Sequence, residues 1–403
     1  MSVMDLAAFE NSPTGRLVLT SGLPGDYYAY VPHALPGSLL ALGLNEDTLR
    51  LVTDAERSLG QLAGLASALP GLLPDPALLI VPALRQEAAA SVRIEGTVIG
   101  NDEAQRYEVI EAPPERRVDY MEFTNYSAAL QHGQDLLASG LPISVRLVCE
   151  VHARLMQGIP PDRASRTPGK FRTMQVVIGQ PGATFETARF VPPPPDRIPA
   201  LMHDWERFIN EQGRSLPLVV QCALMHYQLE TIHPFDDGNG RVGRLLIKLL
   251  LHERKALDYP LLILSAYLER HRTEYHDSLL AVSRDGDWAR WLSFFMRGVV
   301  EQGAYIAALI KRVQQLREGY LRRLDEARVS QAAYRLLDLL FRQQTVTVRY
   351  VEGEIGVSFP TAQKAIESLV ALGILIEETQ QKRNRVYTAR DILALFAPPG
   401  GRA

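Results

Sequence analysis

With 403 residues, 46% of them apolar and 22% charged, the chain has the composition of a soluble globular protein of two or three domains with ample core. Its 43 Lys+Arg against 46 Asp+Glu leave a formal charge of -3, which argues against a globally basic nucleic-acid or membrane-surface protein. Two cysteines, Cys149 and Cys222, fall in apolar helical patterns and read as buried thiols of a reducing compartment rather than a disulfide scaffold; without a basic leader or a bilayer-length apolar run, a cytoplasmic location and no membrane partner are expected.

Residues 1 to about 80 are rich in Gly, Pro, Ala and Leu, with turn signals at Ser12-Pro13-Thr14-Gly15 and Leu23-Pro24-Gly25. Their clearest element is a helix over Glu56 to Leu69. From Pro82, with proline in its first turn, a second helix is predicted to run to Glu95 and to stop at Gly96. Ser91 and Glu95 are four residues apart and share a face. A carboxylate in the last turn opposes the helix macrodipole, at roughly 0.3–1 kcal/mol unless a cation answers it. Helix physics alone reads Glu95 as a solvated surface residue that tolerates this cost.

Helices over Val118 to Ala138 and Ser144 to Met156 follow, and His152 lies on the apolar stripe of the second, as a satisfied structural histidine would. Pro168-Gly169-Lys170-Phe171-Arg172 then opens an extended segment. Gln175 to Ile178 and Phe185 to Val191 flank Gly179-Gln180-Pro181-Gly182, which predicts a β-hairpin, and Pro192 to Pro195 end it as a stiff polyproline spacer. Ile198 to Asn210 and Pro217 to Thr231 read as helices.

Between that last helix and another apolar one lies Thr231-Ile232-His233-Pro234-Phe235-Asp236-Asp237-Gly238-Asn239-Gly240-Arg241-Val242-Gly243-Arg244. Val242, Leu245, Leu246, Leu249 and Leu250 keep helical rhythm, so a helix is predicted from about Gly240 with Asn239 as its N-cap. Backbone N–H groups at Gly238 to Arg241 would point out of the helix start, and Arg241 and Arg244 share one face, which together make a polyphosphate cradle. Asp237 beside the phosphates suits a divalent cation, Mg2+ or Mn2+. His233 at the mouth of the loop is the natural acceptor for a hydroxyl proton, and Phe235 is the apolar plug that fixes the loop.

The run from His233 to Arg244 resembles the signature of the Fic family, whose usual activity is transfer of AMP from ATP to a Tyr, Ser or Thr hydroxyl of a protein. On that resemblance His233 is the catalytic base, Asp237 holds the cation, and Gly238, Asn239, Gly240, Arg241, Val242, Gly243 and Arg244 bind the nucleotide. The branch of the family that transfers phosphate has lysine where this chain has Gly240. Ser91-Val92-Arg93-Ile94-Glu95-Gly96 resembles the family's inhibitory motif, which implies that Glu95 pairs with Arg244 and competes with the γ-phosphate. The same glutamate could orient water to remove AMP from a modified protein. The resemblance also makes residues 174–191 a flap on which a protein target docks, puts Tyr275 and His276 near the adenine, and gives His226 no role.

Helices are predicted over Leu261 to Leu268, Thr273 to Val282 and Trp288 to Val300, then a long charged helix over Gly303 to Arg328, suited to bridging domains or to contact in a homodimer. From Val329 the pattern is that of a winged helix-turn-helix: helix Gln331 to Phe341, helix Val351 to Ile355, Ser358-Phe359-Pro360-Thr361 capping Ala362 to Leu372, and two strands around Gln380 to Arg385. Lys382, Arg383 and Arg385 cluster in the wing. Ten Lys+Arg against seven Asp+Glu in residues 328–403 is a mild basic bias, which leaves DNA and protein partners both open. The expected fold is therefore mainly α: an N-terminal subdomain over residues 1–115 with the inhibitory helix at about 82–96, a Fic-type core with a hairpin flap over 116–328, and a winged-helix domain over 329–403. A nucleotide-sensing, DNA-binding transcription regulator is the alternative from a different functional class.

Overall fold

The computed structural model describes residues 5–21, 25–160, 163, 165, 167–180, 182–379 and 384–397. Two compact units result: Met1–Gly60, Thr124–Leu257 and Tyr267–Glu301 form the first, and Gln61–Phe123, Asp258–Ala266 and Gln302–Ala403 the second. Linear borders at 115 and 328 do not coincide with these units. No helix among the described residues is long and apolar enough to cross a membrane.

The first unit is built on the helix Leu218–Ile232, which is buried on nearly every side because apolar residues fall on all its faces. It packs against the helices Ile198–Asn210 and Asn239–Glu253. The second of these carries Leu245, Leu246, Leu249 and Leu250, none of them exposed. Full burial of each contributes roughly 1.5–3 kcal/mol. The helix Val145–Leu155 lies against the same element and is capped by Ser144, whose hydroxyl accepts from the Leu147 N–H. Both cysteines are free thiols; burial raises the Cys149 pKa to about 11 and that of Cys222 further.

Two expectations for this unit are corrected. The turn-rich opening segment folds as an antiparallel hairpin, β1 (Gly15–Thr20) and β2 (Tyr27–Pro32), in register from Gly15 opposite Pro32 to Thr20 opposite Tyr27. Of its predicted turn, Leu23 and Pro24 lie outside the described residues. The expected flap hairpin, by contrast, is reduced to one bridge between Ile178 and Phe190; its Pro181 also lies outside the described residues. Competing hydrogen bonds explain this. The Val191 carbonyl accepts from the Tyr30 N–H of β2 at 2.9 Å, and the Gln175 side chain donates to the Val176 and Pro192 carbonyls. Phe190 and Val191 instead pack with Phe9, Ala29 and Tyr30.

In the second unit, the helix bearing Ser91 and ending before Glu95 spans Ala77–Ile94. It begins five residues earlier than predicted, so Pro82 is interior, where it withholds one helical N–H from the Leu78 carbonyl. A further helix, Asn101–Val109, has no counterpart in the sequence reading. Trp288–Ala327 is one helix of 40 residues rather than two, and its C-terminal part lies in this unit. Residues beyond it form the helix Gln331–Arg342, β3 (Thr345–Thr347), the helices Val348–Ile355 and Phe359–Ala371, β4 (Ile376–Glu377), β5 (Val386–Thr388) and a last helix Arg390–Leu395, with sheet order β3-β5-β4. The sequence reading of three helices followed by two strands is met here, with β3 and the helix Arg390–Leu395 added; Gln380, Lys382 and Arg383 of the expected wing lie outside the described residues. The helix Ala77–Ile94 packs on Gln331–Arg342, and Arg85 donates both to Glu108 and to the Arg342 carbonyl. Buried Gln343 and Gln344 donate from their side chain and backbone, respectively, to the Gln105 carbonyl and to its side-chain oxygen.

Candidate active site

The helix Leu218–Ile232 ends because His233 enters the left-handed region, φ 51° and ψ 60°, with its N–H on the Leu229 carbonyl. A non-glycine residue there costs about 1–2 kcal/mol, so the surroundings must hold it. They do: Arg172 Nε donates to the His233 carbonyl at 2.8 Å, and the Arg172 N–H donates to the Pro234 carbonyl at 2.9 Å. His233 itself is half-buried, and its Nδ1 lies 3.3 Å from the Glu230 carbonyl. A carbonyl only accepts, so Nδ1 carries the hydrogen in this contact, and in the neutral ring the lone pair is then on Nε2.

After Pro234 the chain drives Phe235 into the core, where it is not exposed at all and stacks on His152 with centroids 3.8 Å apart and planes within 3°. His152 is itself fully buried. Its Nδ1 accepts from the Gly169 N–H at 2.8 Å, so Nε2 bears the proton and donates to the Asp237 carbonyl at 3.0 Å. Burial lowers its pKa to about 4, against the small raising effects of the Asp237 carbonyl and neighbouring carboxylates, and the ring stays neutral.

Asn239 does not cap the helix as expected. Its side-chain oxygen accepts from the Phe235 N–H and its amide donates to the Phe235 carbonyl, each at 2.9 Å, which closes the loop on itself. The cap position belongs to Gly238, at φ 81°. The backbone angle favours glycine, and a Cβ on Gly238 would lie 2.1 Å from Met156 Cε, so that flexible side chain would have to move. The helix therefore begins at Asn239, one residue before the predicted start. Its first helical hydrogen bond runs from the Val242 N–H to the Gly238 carbonyl, and the N–H groups of Asn239, Gly240 and Arg241 precede it.

Arg241 and Arg244 are 3% and 2% exposed and one turn apart on this helix. Arg241 Nη2 lies 2.6 Å from Asp237 Oδ2, while the Asp237 side chain keeps 40% of its surface exposed. Ser165 donates its hydroxyl to the other loop carboxylate, Asp236. Val242 is buried, and Gly243 is required because a Cβ there would lie 2.8 Å from His226 Nδ1.

The two residues expected near the adenine differ. Tyr275 is 2% exposed, and its hydroxyl is 2.7 Å from His226 Nε2 and 3.4 Å from Glu230, with its ring beside Trp291 and Phe294. It is a core residue of the wall behind the loop, whereas His276 is half-exposed. In the other unit Ser91 is fully buried, and Glu95 is the exposed C-cap of its helix, its N–H on the Val92 carbonyl. Gly96, at φ 98°, ends that helix as predicted. Arg172 carried no signal in the sequence: one arginine in a polar turn reads as surface.

Residues 142–251, which include the whole loop, match the Fic/DOC family, and residues 49–135, which include Glu95, match the Fic/DOC family N-terminal region. The chain belongs to the Fic/DOC family. Curated relatives carry the name protein adenylyltransferase Fic. That of Drosophila grimshawi is 32% identical over 177 residues, 44% of this chain and 32% of the relative; that of Drosophila persimilis is 30% identical over 281 residues, 68% and 51%. The chain thus spans about a third to a half of the length of these relatives. A Fic family protein from Desulfovibrio desulfuricans G20, with TM-score 0.56 at 18% identity over 88% of this chain and 98% of that one, shares the fold. Within this Fic fold the loop is thus held by contacts from three directions: Arg172 at its entry, His152 under its middle, and Asn239 across its exit.

Proposed function

We propose that this Fic protein transfers AMP from ATP to a Tyr, Ser or Thr hydroxyl of a protein target. The observation that carries the reading is the loop itself: a half-buried histidine with its Nδ1 hydrogen committed to Glu230 leads, over five residues, into a helix start flanked by two buried arginines. His233 Nε2 takes the proton of the target hydroxyl as its oxygen bonds to the α-phosphorus. The bond from that phosphorus to the bridging oxygen of the β-phosphate breaks, and pyrophosphate leaves. N–H groups at the helix start stabilise charge on the phosphates, and Arg241 and Arg244 bind the β- and γ-phosphates.

Asp237 fits a cation shared with the nucleotide, because its carboxylate is partly exposed at the start of the helix that would meet the phosphates. No cluster of three or more His, Cys, Asp or Glu among the described residues forms an all-protein metal cage. Mg2+ or Mn2+ held there would neutralise phosphate charge; positioning and proton transfer stay with the protein.

Glu95 at the end of its helix is the inhibitory residue in this proposal. A carboxylate paired with Arg244 denies that guanidinium to the γ-phosphate, and Glu95→Gly raises transfer. The same carboxylate could also orient a water that attacks the phosphorus of an AMP-modified protein, which releases AMP and restores the hydroxyl. The target docks on residues 174–191. Incubation with ATP labelled at the α or γ phosphate tests the assignment: α-label on protein is the predicted result. γ-label would indicate phosphotransfer, and neither label together with retention on DNA would indicate the regulator.

A further inference from the structure

Arg172 is 3% exposed, yet among the described residues no carboxylate pairs with it. Its guanidinium is spread over three backbone carbonyls: Nε to His233 at 2.8 Å, Nη1 to Met174 at 3.1 Å and Nη2 to Pro193 at 2.5 Å. Burial lowers its pKa to about 10, so the group remains charged at neutral pH but desolvated. A buried guanidinium answered only by carbonyl dipoles is a costly way to tie backbone together. The three acceptors belong to three different pieces of the site. Met174 opens the flap segment and is 69% exposed, Pro193 belongs to the proline run that closes that segment, and His233 is the proposed base in its left-handed conformation.

We propose that Arg172 is the positioning residue of the His233 base, fixing the left-handed backbone of His233 and locking it to both ends of the flap on which a protein substrate docks. The proposal rests on the AMP-transfer reading. The rigid fork is what the geometry uses, since one guanidinium reaches three divergent carbonyls through three different nitrogens. A lysine ammonium keeps the charge but, as a single nitrogen on a flexible stem, does not span all three. The phosphate cradle from Gly238 to Arg244 makes none of these contacts, so nucleotide binding is separable from positioning.

The test uses the full chain with Glu95→Gly, alone and with Arg172→Lys or Arg172→Gln, each first checked for an unchanged circular-dichroism spectrum. Two readouts are taken: kcat and KM for ATP in AMP transfer, and the His233 imidazole nitrogen resonances, assigned by their loss in His233→Ala. The expected result is a fall in kcat of about 30-fold or more with KM for ATP within about twofold, and His233 resonances that shift or broaden while those of His152 stay. A purely structural arginine would instead weaken ATP binding and catalysis together. Unchanged His233 resonances overturn the proposal whatever the rate, and so does a kcat within about threefold of the parent. If the Glu95→Gly parent transfers no AMP, the functional reading fails, and the resonances alone still decide whether Arg172 positions His233.

Discussion

Asp237 and Arg241 meet at 2.6 Å across one turn of the helix that opens the phosphate cradle. The pair holds the carboxylate beside the proposed phosphates and aims it. Asp237→Ala is expected to lower AMP transfer by about 100-fold or more and to remove the dependence of the residual rate on Mg2+. ATP affinity in the presence of chelator should change little. Rates measured across a Mg2+ titration check this, and a variant that keeps the parent's Mg2+ dependence would remove Asp237 from that role.

Gly238→Ala places a methyl where Met156 already sits and forces a side chain into φ 81°. A loss of roughly 2 kcal/mol or more in unfolding free energy is expected from urea denaturation. Adding Met156→Ala relieves the clash at the cost of a cavity, but the backbone strain at Gly238 persists. Full recovery in the double variant would show that sterics alone, and not the left-handed backbone, demand glycine.

His152 makes stability depend on pH in a definite direction. Its pKa is about 4 in the folded chain, below the usual 6.5 of an unfolded one, so the unfolded chain takes up the proton first as pH falls. The neutral ring's contribution is complete above about pH 6.5 and is lost between there and about pH 4, to the extent of roughly 3 kcal/mol. His152→Gln should flatten this part of the curve, as urea unfolding at about pH 7 and about pH 5 will show.

Arg85 ties the helix Ala77–Ile94 to Glu108 and to the Arg342 carbonyl. Arg85→Ala leaves that part-buried carbonyl and a carboxylate short of a donor, and a loss of about 1–2 kcal/mol is expected. Because the helix ends at Glu95, the proposed restraint predicts more AMP incorporation alongside the lower thermal midpoint. Both are measured on one preparation, and reduced stability with unchanged incorporation would uncouple this contact from Glu95.

The candidate loop was legible in the sequence because its residues are contiguous: His233, Asp237 and both arginines lie within twelve residues, and periodicity after them announces a helix. Its support was legible only in part: Phe235 reads as the plug and His152 as a buried structural histidine, but not which loop atoms His152 and Arg172 hold. His152 and Arg172 arrive from elsewhere in the chain as single residues whose partners are mostly backbone carbonyls and amides, and such contacts leave no spacing to read. Asn239 was misread for a related reason. Propensity favours Asn at an N-cap, but its two bonds to Phe235 leave the cap to Gly238. At the flap, the alternation of residues around Gly179 is real, yet Gln175 and Tyr30 take the carbonyls that a hairpin ladder would have used. Tyr275 shows the limit of a resemblance. The resemblance puts it near the adenine, whereas its ring is packed in the core.

The most direct test of AMP transfer under restraint by Glu95 is an intact-mass measurement of the full chain and its Glu95→Gly variant, each incubated with ATP and Mg2+, with Glu95→Gly/His233→Ala as control. The account predicts a mass gain of one or more AMP units on Glu95→Gly or on an added protein substrate, little on the unmutated chain, and none on the double variant. Equal labelling of the unmutated chain and Glu95→Gly would contradict the restraint, and labelling that survives His233→Ala would contradict the mechanism.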